Sequence, residues 1–260
     1  MSDKIKPSLL TLPVELVYRI LDNLDDIRLL CSMQNVCIRI NTILDTYHRY
    51  QTLTKLDISN DIIDDQLAKY IANAIRRNKT LTILSLGGNE IGDEGAEYIA
   101  NSLQENNTLN SPDLHRNQIG EQGAQHLGNA LQQNKALTIL FLLQNQIGPQ
   151  GAKYLANALQ QNETLTTLYL YYNQIGDQGA KHFANALQQN KTLITLDLGD
   201  NEIGDQGAQY IASALQQNKT LTTLDLGTNQ IGDQGAQHLA KALQENNVTF
   251  YLPPSIPIIY

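Results

Sequence analysis

The sequence predicts an α/β solenoid: an open horseshoe with a parallel sheet on its concave face, helices on its convex face and a short all-α segment at the N-terminus. Three observations predict it. A 28-residue unit starts at Leu81, Leu109, Leu137, Leu165, Leu193 and Leu221, with a weaker copy from Leu53, and a fixed period of this size marks stacked repeats. The front half of each unit, LTTLYLYYN in the copy from Leu165, has Leu168 and Leu170 at a period of two, a short strand. The back half, GDQGAKHFANALQQN, places Ala180, Phe183, Ala184 and Leu187 at i, i+3, i+4 and i+7, one face of a helix. Strands pair about 4.8 Å apart and packed helices need about 10 Å. Equal numbers of the two must therefore curve, with the sheet inside.

The chain divides into a helical segment over 1–50, repeats over 53–252 and a tail over 253–260. In the first segment, LPVELVYRILDNL sets Leu16, Ile20, Leu21 and Leu24 at helical spacing, with Pro13 near the first turn. A second apolar helix covers Ile27 to Val36, and a third runs through Ile38, Ile40, Ile43 and Leu44. Three short helices bury little core by themselves, so they must pack on the repeats, on a partner, or on both. The pattern Leu12, Pro13, Glu15, Leu16, Ile20, Leu21 and Leu24, followed by Leu29, Leu30, Val36 and Cys37, resembles the F-box, the adaptor-binding module of cullin-type ubiquitin ligases. The resemblance implies that Leu12, Pro13, Leu16 and Ile20 dock an Skp-type adaptor. Ile40 stands where that family often has Trp. The competing reading is a plain cap over the exposed first repeat, which solenoid ends require. Cys31 and Cys37 read as small buried hydrophobes, because two ligands without a nearby His make no zinc site.

Strand plus helix every 28 residues is similar to the leucine-rich repeat, and LxxLxLxxNxIGxxGAxxLAxAL looks like its ribonuclease-inhibitor type. Asn89, Asn117, Asn145, Asn173, Asn201 and Asn229 anchor the strong copies, each satisfying backbone groups buried in its own turn. Asp61 replaces the Asn in the first copy. Asp93, Asp177, Asp205 and Asp233 stand where each could cap the start of its own helix. Gly92, Gly120, Gly148, Gly176, Gly204 and Gly232 meet a need for positive φ or close approach; unclustered, they do not resemble a phosphate loop. Asn-x-Thr at Asn78, Asn106, Asn162, Asn190, Asn218 and Asn247 imitates a glycosylation signal. It falls where each helix should stop, so these residues are expected as left-handed helix ends.

Two copies depart from the pattern. Pro112 takes the place of a core Leu and removes a strand N–H, which predicts a locally broken strand. Pro149 replaces a capping Asp, and a helix start tolerates it. The chain ends with a partial eighth strand at Tyr251–Leu252, and PPSIP then guards the edge.

No motif supplies chemistry. His126, His182 and His238 alternate with Tyr98, Tyr154 and Tyr210 at one helix position. Positions two repeats apart on the convex side lie about 20 Å from one another, too far for a shared metal; Tyr–His stacking between helices is expected instead. No nucleophile–base pair emerges, so the chain reads as a non-enzyme without cofactor or metal. Net charge is −8 with pI near 5.0, and the first 52 residues carry six acids and six bases, so the acidity belongs to the repeats. This balance argues against nucleic acid as the main partner. The N-terminus has no signal-peptide core, no stretch reaches the roughly 18 apolar residues of a membrane span, and two cysteines do not make a disulfide scaffold. The expected compartment is cytoplasmic or nuclear.

What varies is the inner face, at the third, fifth, seventh and eighth places of each unit. Phe141, Leu143, Tyr169, Tyr171 and Tyr172 gather there on adjacent strands, with Asp197, Asp200 and Asp225 beside them. Exposed aromatics flanked by charge are the composition of a binding hot spot. The alternative is that the rings fill the concavity against one another as ordinary strand formers. The expected partner is a protein held on the concave face, presenting a basic or basic-apolar segment.

Overall fold

A computed structural model describes residues 52–244 and 248–251. Strands and helices alternate without exception in these residues. Their order is β1 (Lys55–Asp57), α1 (Asp65–Arg77), β2 (Ile83–Ser85), α2 (Asp93–Glu105), β3 (Ser111–Asp113), α3 (Glu121–Gln133), β4 (Ile139–Phe141) and α4 (Gly148–Leu159). There follow β5 (Thr167–Tyr169), α5 (Gly176–Leu187), β6 (Thr195–Asp197), α6 (Asp205–Leu215), β7 (Thr223–Asp225), α7 (Asp233–Leu243) and β8 (Thr249–Tyr251). The strands form one open parallel sheet in chain order, each helix lying against its sequence neighbours. The solenoid expected from the period is therefore the fold. The F-box-like segment with Leu12, Pro13, Leu16 and Ile20, both cysteines, Asn247 and the PPSIP tail lie outside the described residues. Among the described residues no helix is long and apolar enough to cross a membrane.

The core runs as a continuous stripe between sheet and helices. In the copy from Leu165, Leu165, Leu168, Leu170, Ile175, Ala180 and Phe183 are all fully buried. Each of the strands β1 to β7 buries only its middle residue and leaves the two flanking side chains on the concave side. Apolar burial contributes about 25 cal/mol per Å², and it accrues repeat by repeat because each unit packs only on its neighbours.

Helix capping differs from expectation, since the aspartates act across repeats. Asp177 does not cap α5, of which it is part; its Oδ1 accepts the N–H groups of Gly204 (2.8 Å) and Gly207 (2.9 Å) at the start of α6. Asp65, Asp93 and Asp205 reach the next repeat in the same way. Among the described residues only α1 has a local side-chain cap, Leu67 N–H donating to Asp64 Oδ1. The glycine at each relay target makes room, and a Cβ on Gly207 would stand 2.6 Å from Asp177 Oδ1.

The relay fails twice. Glu121 stands where α4 would find its Asp, and Pro149 stands where α5 would find one. Those two helices begin at Gly148 (φ 62°) and Gly176 (φ 60°), whose N–H groups turn to the carbonyls of Asn173 and Asn201. Of the six glycines expected to need positive φ or close approach, only these two have positive φ. Pro149 does sit comfortably in the first turn of α4; what it removes is the cap of the following helix. Asp177→Ala is expected to destabilise the protein by about 1–2 kcal/mol and Pro149→Asp to stabilise it by up to about 1 kcal/mol, the usual worth of such a cap. Urea unfolding midpoints of the two variants against wild type check both signs.

Two asparagine ladders tie the repeats together. In the first, the asparagine of one repeat serves the turn of the preceding repeat as well as its own: Asn89 Oδ1 accepts from Asp61 and Ile63 N–H, and its Nδ2 donates to Ile58 and Leu86 carbonyls. The second ladder consists of Asn78, Asn106, Asn162, Asn190 and Asn218 of the Asn-x-Thr triplets together with Asn134. Their backbones are not left-handed: Asn78 has φ −71° and ψ 137°, Asn106 has φ −87° and ψ 126°, both extended. Asn106 Oδ1 accepts from Thr108 and Leu109 N–H while its Nδ2 donates to Ile75 and Asn78 carbonyls one repeat back. A side chain 1 % exposed with its amide so engaged is no glycan acceptor.

Pro112 does not break its strand. Register with β2 is complete, and pairing with β4 is reduced to Asp113↔Phe141. Proline lacks only the N–H on one side, and the flanking bonds Leu114 N–H to Phe141 O and Thr138 N–H to Asn110 O keep the strands together.

Candidate protein-interaction face

The parallel register places the variable positions of successive repeats side by side. Phe141 on β4 is the register partner of Tyr169 on β5, and their rings stack with centroids 4.9 Å apart and planes 9° from parallel. Tyr171 and Tyr172 follow β5, their rings 6.4 Å apart and tilted by 31°. Leu143 holds the place equivalent to Tyr171 one repeat earlier and is half-buried. The rings therefore do pack on one another in part, as the alternative reading expected, yet Tyr172 stays 51 % exposed.

Tyr171 leans over the turn that follows β6. A Cβ on Gly199 would lie 3.0 Å from Tyr171 Cδ2, so the absence of a side chain there admits the ring. The hydroxyl donates to Asp200 Oδ2 at 3.0 Å. That bond, then burial and the charges of Asp200, Asp197 and Asp225, raise the phenol above its ordinary pKa.

Asp197 and Asp225 are register partners on β6 and β7. Each uses Oδ1 to accept the N–H two residues on, Gly199 at 2.9 Å and Gly227 at 2.7 Å. Burial pushes Asp197 from the ordinary 3.8 up to about 6, the Gly199 N–H opposing the shift and Asp225 adding to it. Its folded pKa thus exceeds the unfolded one, so the stability linked to its neutral form is complete below pH 4 and lost as pH rises through about 6.

The eighth position carries a backbone demand that its varied residue types do not announce. Asn60, Gly88, Arg116, Gln144, Tyr172, Asp200 and Thr228 all have φ between 50° and 67°, yet only Gly88, Asn60 and Asp200 are of types that region favours. A bulky side chain held there is strained, and strained residues concentrate where side-chain identity serves function. Gly88, with Asn60 and Asp200 at the same place, was the sequence signal that could have revealed this. Two further concave residues were not singled out as sites. His115 accepts the place left open above Gly87 and contacts Asp113 Oδ1 through Nδ1 at 2.8 Å. Arg116 donates through Nε to Gln144 Oε1.

On the convex side lysines meet two of the three tyrosines of the Tyr–His position: Lys69 lies 5.1 Å from the Tyr98 ring centre and Lys181 5.3 Å from that of Tyr210. A shallow groove of about 220 Å³ between α1 and α2 is lined by Lys69, Arg76, Tyr98 and Asn101. Among the described residues no cluster of His, Cys, Asp or Glu is arranged to hold a metal.

Residues 77–100, 161–184, 189–212 and 217–240 match the family model for the Leucine Rich repeat. No curated protein matches the chain. Among solved structures, leiomodin-1 actin-binding site 2 is similar at 24 % identity and a TM-score of 0.47, covering 55 % of this chain and 85 % of that one.

Proposed function

We propose that this leucine-rich-repeat solenoid is a non-catalytic protein-interaction module that holds a protein partner on its concave face. The observation that carries the reading is the row Phe141–Tyr169–Tyr171–Tyr172, four aromatic residues of two neighbouring repeats, where the other repeats have mostly Gly, Ser or Asp, besides His115, Arg116 and Thr228. Aromatic residues dominate interface energetics because they bury large areas at low entropic cost. Tyr172 adds a ring that folding leaves half in solvent and keeps on a left-handed backbone.

Two variants separate binding from stability. Tyr169→Ala with Tyr171→Ala loses one ring stack and one hydroxyl–carboxylate bond, an expected cost of about 1–3 kcal/mol. Tyr172→Gly removes a ring and relieves the left-handed strain, so stability should stay within about 1 kcal/mol of wild type. Both should reduce partner capture at least tenfold while retaining cooperative melting. Tyr172→Gly that unfolds the protein, or capture that survives both changes, would sink the reading.

The finer assignment is an F-box/leucine-rich-repeat protein of the ribonuclease-inhibitor type. Leu12, Pro13, Leu16 and Ile20 would dock an Skp-type adaptor, and the horseshoe would present a substrate for ubiquitination. Its support is the Leu-Pro-x-Glu opening, which a mere end cap does not require. A pull-down of wild type against Pro13→Ala/Leu16→Ala tests it: adaptor recovery should fall at least tenfold. Equal recovery from both, or none from wild type, leaves the freestanding scaffold with a helical cap as the better description.

A further inference from the structure

The concave face is not symmetrical along the solenoid, and its order restricts what can lie on it. Arg116 follows β3, where Asp113 is already occupied by His115. Its guanidinium gives one donor to Gln144 and has more to offer, because the group carries five in a fixed fork. The stacked and tilted rings occupy the next two repeats. Asp197, Asp200 and Asp225 fill the two repeats after those. Cation, aromatic floor and carboxylates thus succeed one another along a line that crosses the strands.

Resting on the concave-face reading above, we propose that the occupant is a short extended peptide segment bound in one direction. Its acidic residue meets Arg116, its apolar or aromatic middle lies over Phe141, Tyr169 and Tyr172, and its Arg or Lys meets Asp197 and Asp225. The spacing follows from the sheet. Across the sheet, the repeats of Arg116 and Asp197 lie three strands apart, about 14 Å at about 4.8 Å per strand, which an extended chain covers in about four residues at about 3.3 Å each. Charge complementarity fixes direction, since the reversed peptide would set acid against acid and base against Arg116. Asp197 lacks a cation among the described residues: Asp225 on one side and Tyr169 on the other are its register partners, and Tyr171 with Asp200 stands beyond. An incoming ammonium or guanidinium provides the charge that its half-buried carboxylate is missing.

The test is to pan a random twelve-residue peptide display library on the wild-type protein and on three variants, each first checked for cooperative melting. Wild type should enrich peptides with Asp/Glu and Arg/Lys about four residues apart in one fixed order, with an apolar or aromatic residue between. Asp197→Asn/Asp225→Asn should weaken those peptides at least tenfold and flatten the fall in affinity expected between pH 7 and pH 5. Arg116→Glu should select a basic residue at the end where wild type selects an acid. Peptides that depend on Tyr169 and Tyr171 but show no charge order, or the same motif from Arg116→Glu, would overturn the directional inference and leave the concave-face reading intact. Equal retention by wild type and by Tyr169→Ala/Tyr171→Ala would overturn both.

Discussion

Asn201→Ala should lower stability by about 3–6 kcal/mol, enough to unfold the central repeats of a marginally stable array. Asn201 is fully buried. Its Oδ1 accepts from Asn173 N–H at 2.8 Å and Ile175 N–H at 3.4 Å, and its Nδ2 donates to Leu170 and Gly199 carbonyls at 2.8 and 2.9 Å. Truncation strands these backbone groups where water cannot replace the lost partner. Asp at the same place is no remedy, because it would aim an oxygen at two carbonyls and bury a charge. Chemical denaturation followed by circular dichroism should show a midpoint shift, with hydrogen exchange accelerated first in β5, β6 and the turns after them. Wild-type protection in those strands of the variant would refute the ladder's energetic role.

Phe183→Ala is the second large effect, about 3–5 kcal/mol. Phe183 is the largest fully buried side chain among the described residues and sits in α5, packed between α4 and α6. The corresponding places elsewhere hold Ile99, Leu127, Leu155, Ile211 and Leu239, all buried. Phe183→Leu should therefore cost only about 1–1.5 kcal/mol. The helix has no neighbouring aspartate to cap it, which leaves packing to supply more of its local stability. Thermal melts of the two variants, read side by side, separate lost volume from lost shape: a small effect of Ala would mean that the site collapses around the gap.

Most of the frame could be read directly from the residues. Leu168, Leu170, Phe183 and Asn173 announce their roles by period alone, since strand alternation and helix facing are local consequences of backbone geometry. The brightest candidate residues were legible too: Phe141, Tyr169, Tyr171 and Tyr172 were visible as departures from a repeat whose other letters are constrained, and the register brings them together. The error at the helix starts had a specific cause. Asp177 lies where a local cap could form, and the partner it chooses 27 residues later depends on how far one repeat advances past the next. The same advance sends the amides of Asn106 and Asn134 to carbonyls of the preceding repeat, where the sequence suggested only a helix end. Pro112 was judged by its own strand, whereas the neighbouring bonds decided its effect.

By itself, then, the sequence determined the repeat, the strand–helix alternation, the core stripe and the positions left free to vary. These follow from short-range periodicity and from the mismatch in width between strands and helices. The tertiary structure alone decided which repeat each polar side chain serves, that the eighth position is left-handed, and that Tyr171 reaches Asp200 across Gly199. Those facts depend on the offset between neighbouring coils, a relation between residues about 28 positions apart that no single unit contains.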